Sequence, residues 1–126
     1  MCSYSEYGSA WLVARIFPVL RACHVEDNYQ KRAVVLEALV KLAPSLDANA
    51  LEGSLLPLAL TLVEDKVPNL RLQLASSLMR AAPHLSATTL SECVMPILAR
   101  LEDDWDMDVL RAAKEALEVC MAITLS

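Results

Sequence analysis

Two arginines, a tyrosine and a tryptophan stand out as groups able to recognise a partner. Tyr29 precedes Arg32 by three residues, with Asn28 just before it. An amphipathic ring beside a planar, multi-donor cation is what protein interfaces favour at their hot spots. Pro68, Asn69 and Arg71 repeat that arrangement further along, and Met107 follows Trp105 at a distance of two. An internal reading competes with this one. Arg32 can pair with Glu26 or Asp65, Tyr29 can cover a helix end, and a repeated Asp/Arg ladder accounts for Arg32 and Arg71 together. An arginine has five donors, so both readings can hold at once. Trp105 lies among Asp103, Asp104 and Asp106, and burying its ring would desolvate those charges. It reads as an exposed anchor for a partner pocket; the alternative is a ring folded back onto the final helices.

The other reactive groups point to no catalyst. Glu102, Asp103, Asp104, Asp106 and Asp108 crowd into one short segment, and carboxylates suit Ca²⁺. That segment has no glycine for a calcium loop, so solvated charge ahead of a helix N-terminus is the expectation, with a basic partner patch second. His24 and His84 are isolated, and no GxSxG occurs. Two glycines cannot build a phosphate-binding loop. Cys2, Cys23, Cys93 and Cys120 lie far apart with no CxxC, which reads as buried free thiols. No catalytic residue, cofactor or metal site is expected.

Composition agrees with that reading. The chain has 126 residues, 56% of them hydrophobic, and a net charge of -5. This is one small domain's worth of packed helices; so few glycines lean away from an all-β fold. An acidic chain is a poor nucleic-acid binder. The longest apolar stretch runs only from Leu55 to Val63 and includes Pro57, whereas a membrane span needs roughly 20 residues. The first residues carry no basic region of a secretory signal, so the expected location is the cytoplasm, with the nucleus also open.

The prolines expose a repeat. Pro18, Pro57 and Pro96 recur every 39 residues, and so do Pro44 and Pro83. Leu12, Leu51 and Leu90 follow the same offset, as do Val35, Leu74 and Ala113, and Glu26, Asp65 and Asp104. Three units are therefore expected over 9–47, 48–86 and 87–126, with 1–8 unstructured or an expression remnant. Each unit reads as two helices: first helices over 9–23, 48–62 and 87–101, second helices over 29–43, 68–82 and 108–123. Asp47 and Ser86 sit where N-caps belong, and Thr89 with Glu92 fits a capping box. A proline inside each first helix removes a backbone bond and predicts a kink. Pairs this short bury their apolar stripes only by stacking, and a period near 40 matches the HEAT class, an all-α solenoid.

The order Pro57, Asp65, Arg71 is that of a HEAT repeat, and Pro18, Glu26, Arg32 repeats it; in the third unit Leu110 replaces the arginine. More specific words follow: Trp11, Asn28-Tyr29, Val67-Pro68-Asn69-Leu70-Arg71, Pro96-Ile97-Leu98, Asp106-Met107-Asp108-Val109 and Glu115-Ala116-Leu117. At this ungapped spacing the chain resembles the last three HEAT repeats of the scaffolding A subunits of protein phosphatase 2A. The resemblance implies a non-catalytic scaffold whose intra-repeat turns contact a phosphatase catalytic subunit. Carried over, those turns are residues 24–29, 63–69 and 102–108, and the contact candidates are Asn28, Tyr29, Arg32, Pro68, Asn69, Arg71, Trp105 and Met107. The chain departs from that family in length, being a fraction of its repeat array. With no preceding repeat, Trp11 and Ile16 are expected to present an apolar face and to favour self-association. A second reading is a HEAT adaptor for transport or assembly with an unrelated client. A third, a helical-repeat enzyme such as a metal hydroxylase or a base-excising glycosylase, is opposed by the acidic balance and the missing ligands.

Overall fold

The structure is a computed structural model, which describes residues 15–24 and 27–125. It is an all-α solenoid of HEAT type, built from antiparallel helix pairs. Helix α1 covers residues 15–24, α2 is Tyr29–Leu42, α3 spans 48–60, α4 is Pro68–Ala81, α5 spans 87–101 and α6 is Met107–Leu125. These ranges follow the expected ones closely. The expectations for Trp11 and for residues 1–8 lie outside the described residues, as does Glu26. Among the described residues no helix is long and apolar enough to cross a membrane.

Apolar periodicity explains the packing. Positions 39 apart are buried in successive units: Val35, Leu74 and Ala113 are fully enclosed, as are Leu51 with Leu90 and Leu55 with Val94. Second helices stack on one another, α2 against α4 and α4 against α6, and α5 closes the last pair against α6. One continuous core results, because each unit covers the stripe its neighbour would expose.

Pro57 and Pro96 are accommodated by a specific backbone device. Residues Leu51–Leu55 and Leu90–Val94 form a widened turn, in which the Leu56 N–H reaches the Leu51 carbonyl and the Met95 N–H reaches the Leu90 carbonyl. Each bond spans five residues instead of four. The extra width leaves room for a ring that would otherwise strike the carbonyl four residues back. The kink expected at each proline is thus realised as a local widening, the same in two successive units.

The caps follow from residue type, with one correction. Asp47 accepts from the Ala50 N–H at 2.7 Å, and Ser86 accepts from the Thr89 N–H at 3.1 Å. Thr89 and Glu92 do not make the expected box. Glu52, one unit earlier, instead accepts from the Ser86 N–H at 2.7 Å and from the Thr89 hydroxyl at 2.8 Å. The reciprocal half of the box is supplied across the interface between units. The cysteine expectation also needs correcting. Cys120 is buried, Cys23 is partly exposed and Cys93 is exposed, because Cys93 sits on the outer side of a widened turn. Cys2 lies outside the described residues.

Candidate partner-binding ridge

The turns joining the two helices of each unit line one edge of the stack. Two ion pairs set their spacing. Arg32 Nε donates to Asp65 Oδ2 at 2.7 Å and its second terminal nitrogen to Asp65 Oδ1 at 2.9 Å. Arg71 repeats this on Asp104 at 2.7 and 3.0 Å. The remaining terminal nitrogen of each arginine reaches a backbone carbonyl in its own turn, Asp27 for Arg32 and Asp65 for Arg71. Each fork is planar and bidentate, the geometry that makes Arg–carboxylate contacts strong and directional.

The acceptors are equally committed. Asp65 Oδ1 also receives the Val67 N–H, and Asp104 Oδ1 receives the Asp106 N–H, both at 2.9 Å. Each aspartate therefore locks its own turn and the arginine of the preceding unit together. Burial pushes the Asp65 carboxyl up, but the bonds from Arg32 and Val67 outweigh it and hold the net below the usual range. Asp104 is held low first by Arg71, against a smaller opposing effect of burial. Both guanidiniums are shifted up in return, chiefly by their aspartates.

This ladder corrects two of the contact candidates. Arg32 and Arg71 are buried, with side chains 9% and 8% exposed. Their forks are spent inside the stack, so both act as internal ties. The carboxylate that holds Arg32 is Asp65. Asn28 is exposed, and its side chain caps α2 by accepting from the Gln30 N–H at 2.9 Å. Pro68 opens α4, where a missing N–H costs nothing, and Asn69 beside it is partly exposed.

What remains for a partner is aromatic and apolar. Tyr29 is 37% exposed, Met107 58% and Trp105 77%. Trp105 combines its two expected fates: most of the ring faces solvent, while the Arg71 guanidinium lies over it at 5.6 Å from the ring centre. The ladder thus holds a large ring outward from the third turn. In the same turn, Asp106 accepts from the Asp108 N–H at 2.9 Å and the Val109 N–H at 3.2 Å, which caps α6. Among the described residues, no group of three His, Cys, Asp or Glu side chains is placed to hold a metal ion. His24 bonds the Thr61 hydroxyl one unit on and Arg100 bonds Glu64, two ties that spacing alone did not reveal.

Comparison with known proteins falls on one kind of relative. The chain is 29% identical over 126 positions to the regulatory A-type scaffold of protein phosphatase PP2A from Saccharomyces cerevisiae, covering 93% of this chain and 20% of that protein. It is 33% identical over 72 positions to the protein of the same name in Schizosaccharomyces pombe, covering 57% of this chain and 12% of that one. The chain thus spans a fifth or less of the length of these relatives. No family model matches it. The similarity to the yeast protein extends over nearly the whole chain, in keeping with the words read from its residues.

Proposed function

We propose that this chain is a non-catalytic scaffold segment, three HEAT units over 9–47, 48–86 and 87–126, that holds a serine/threonine phosphatase 2A-type catalytic subunit. The carrying observation is the row of exposed side chains, Tyr29, Trp105 and Met107, on turns that the Arg–Asp ladder spaces. A ridge fixed before binding loses little entropy when a partner docks. Similarity to two fungal PP2A regulatory proteins supports the identity of that partner. Catalysis belongs to the partner, and this chain supplies the shape. The cytoplasm, with the nucleus also open, is the compartment this role implies.

Titration calorimetry of the chain against a purified phosphatase 2A-type catalytic subunit tests the proposal. Binding is expected, and Tyr29→Ala with Trp105→Ala should abolish it. Each exposed aromatic is expected to carry about 1–2 kcal/mol, within the range of an interface hot spot. Failure to bind, by the chain and by a version extended with preceding repeats, would favour the adaptor reading with an unrelated client.

A further inference from the structure

A groove of about 460 Å³ opens between the second and third turns. Its wall carries Trp105, Asp103, Glu64 and Arg100, with the buried Arg71–Asp104 pair behind them. The charges do not cancel evenly. Arg71 is spent on Asp104, Arg100 on Glu64, and Asp65 on Arg32. Asp103 also lines the groove and is exposed, and no side-chain bond to it occurs within the described residues. Glu102, Asp106 and Asp108 surround it on the same turn and keep the local potential negative. The Trp105 ring beside it is 77% exposed.

We infer that this groove receives an arginine-bearing segment of a protein partner, its guanidinium seated between the Asp103 carboxylate and the open surface of the Trp105 ring. The chemistry selects that occupant. A negative groove repels acidic segments and phosphates, and a flat indole favours a cation over a neutral polar group. Arginine is preferred to lysine, because a planar guanidinium stacks on a ring and sheds its hydration more readily. Arg71 already shows the mode from within, lying over the same ring while it bonds a carboxylate. The Arg100–Glu64 pair is exposed on both sides, with side chains 57% and 69% accessible. Such a pair is held weakly and can open to widen the entrance. The inference rests on the scaffold reading for its partner, and it adds the charge and geometry of the segment that docks.

An NMR titration of the full ¹⁵N-labelled chain tests it with a defined probe, the peptide acetyl-Gly-Arg-Gly-Arg-Gly-amide. Controls carry Glu or Lys in place of Arg. Trp105→Leu identifies the Trp105 indole signal, since Trp11 is the second tryptophan. Saturable movement of that indole signal and of the Asp103 amide is expected with the arginine peptide, weaker movement with lysine and none with glutamate. Asp103→Asn and Trp105→Leu should each weaken binding about threefold, the size of an exposed cation–π or ion contact. Asp108→Asn, on the same turn but outside the groove, should change it less than about twofold. Equal response to the glutamate peptide, no response at all, or an equal loss with Asp108→Asn would overturn the inference. The two readings fail separately. A phosphatase catalytic partner that binds this chain while the arginine peptide does not removes the groove and leaves the scaffold. A peptide that binds while that partner does not leaves the groove and removes the scaffold.

Discussion

At the scale of single residues, the same side-chain type takes opposite roles according to what lies one unit away. Arg32 and Arg71 look like ideal interface groups, yet each has an aspartate 33 residues further on at bidentate distance. Removing the acid leaves a buried guanidinium without its counter-charge. Asp65→Ala and Asp104→Ala are each expected to destabilise the fold by about 3 kcal/mol, read as a lower urea midpoint. Asp104→Ala should also release Trp105 from its fixed attitude, because the Arg71 beneath the ring loses its anchor; the indole fluorescence of the folded variant reports it. The ladder was legible in the sequence, since Arg32 and Arg71 share an offset with Glu26, Asp65 and Asp104. The choice between ladder and contact was not. Both use the same donors, and only packing decides whether an aspartate is nearer than the solvent.

At the scale of elements, three prolines 39 residues apart announced a recurring distortion, and the helix ranges followed from apolar spacing. The form of the distortion was hidden, because a widened turn differs from a kink only in which carbonyl each N–H finds. Glu52 was hidden for a similar reason. Its partners Ser86 and Thr89 lie 34 and 37 residues away, and no local pattern marks a cap supplied by a neighbouring unit. Glu52→Ala should therefore cost about 1–2 kcal/mol, the range of a lost N-cap, and its effect should shrink in a Ser86→Gly background where the cap is already weakened. A double-mutant cycle by urea unfolding measures that coupling. Gly53 lies in the first widened turn with nothing within 4 Å of where a Cβ would stand, and no residue of the described backbone has a left-handed φ. Helical geometry there makes no use of a glycine. Gly53→Ala is expected to stabilise by about 0.5–1 kcal/mol through the unfolded chain's lost freedom, with a matching rise in Tm.

At the scale of the whole molecule, the ladder, the trans-unit cap and the core run in the same direction, each tying one unit to the next. Units joined this way share their stability, so loosening one joint should weaken the array as a whole. Acid tests this directly, because three carboxylates at the joints are held below their usual range: Asp65, Asp104 and Glu52. For Glu52 the leading cause is the bond from the Ser86 N–H. A carboxylate whose folded value is depressed binds protons more readily in the unfolded chain. Its stabilisation is complete above the unfolded value, about 4, and is lost as pH falls through the folded value below that. Tm should therefore stay level from neutral pH down to about 5 and drop steeply beneath about 4. Asp65→Asn with Asp104→Asn keeps the shape of both acceptors and removes their titration. That variant should start less stable at neutral pH, since the ion pairs are gone, and its Tm should fall less between about pH 5 and 3 than the parent's. Parallel Tm profiles for the two proteins would mean that acid acts elsewhere, and that the Arg–Asp ladder is not what couples the units.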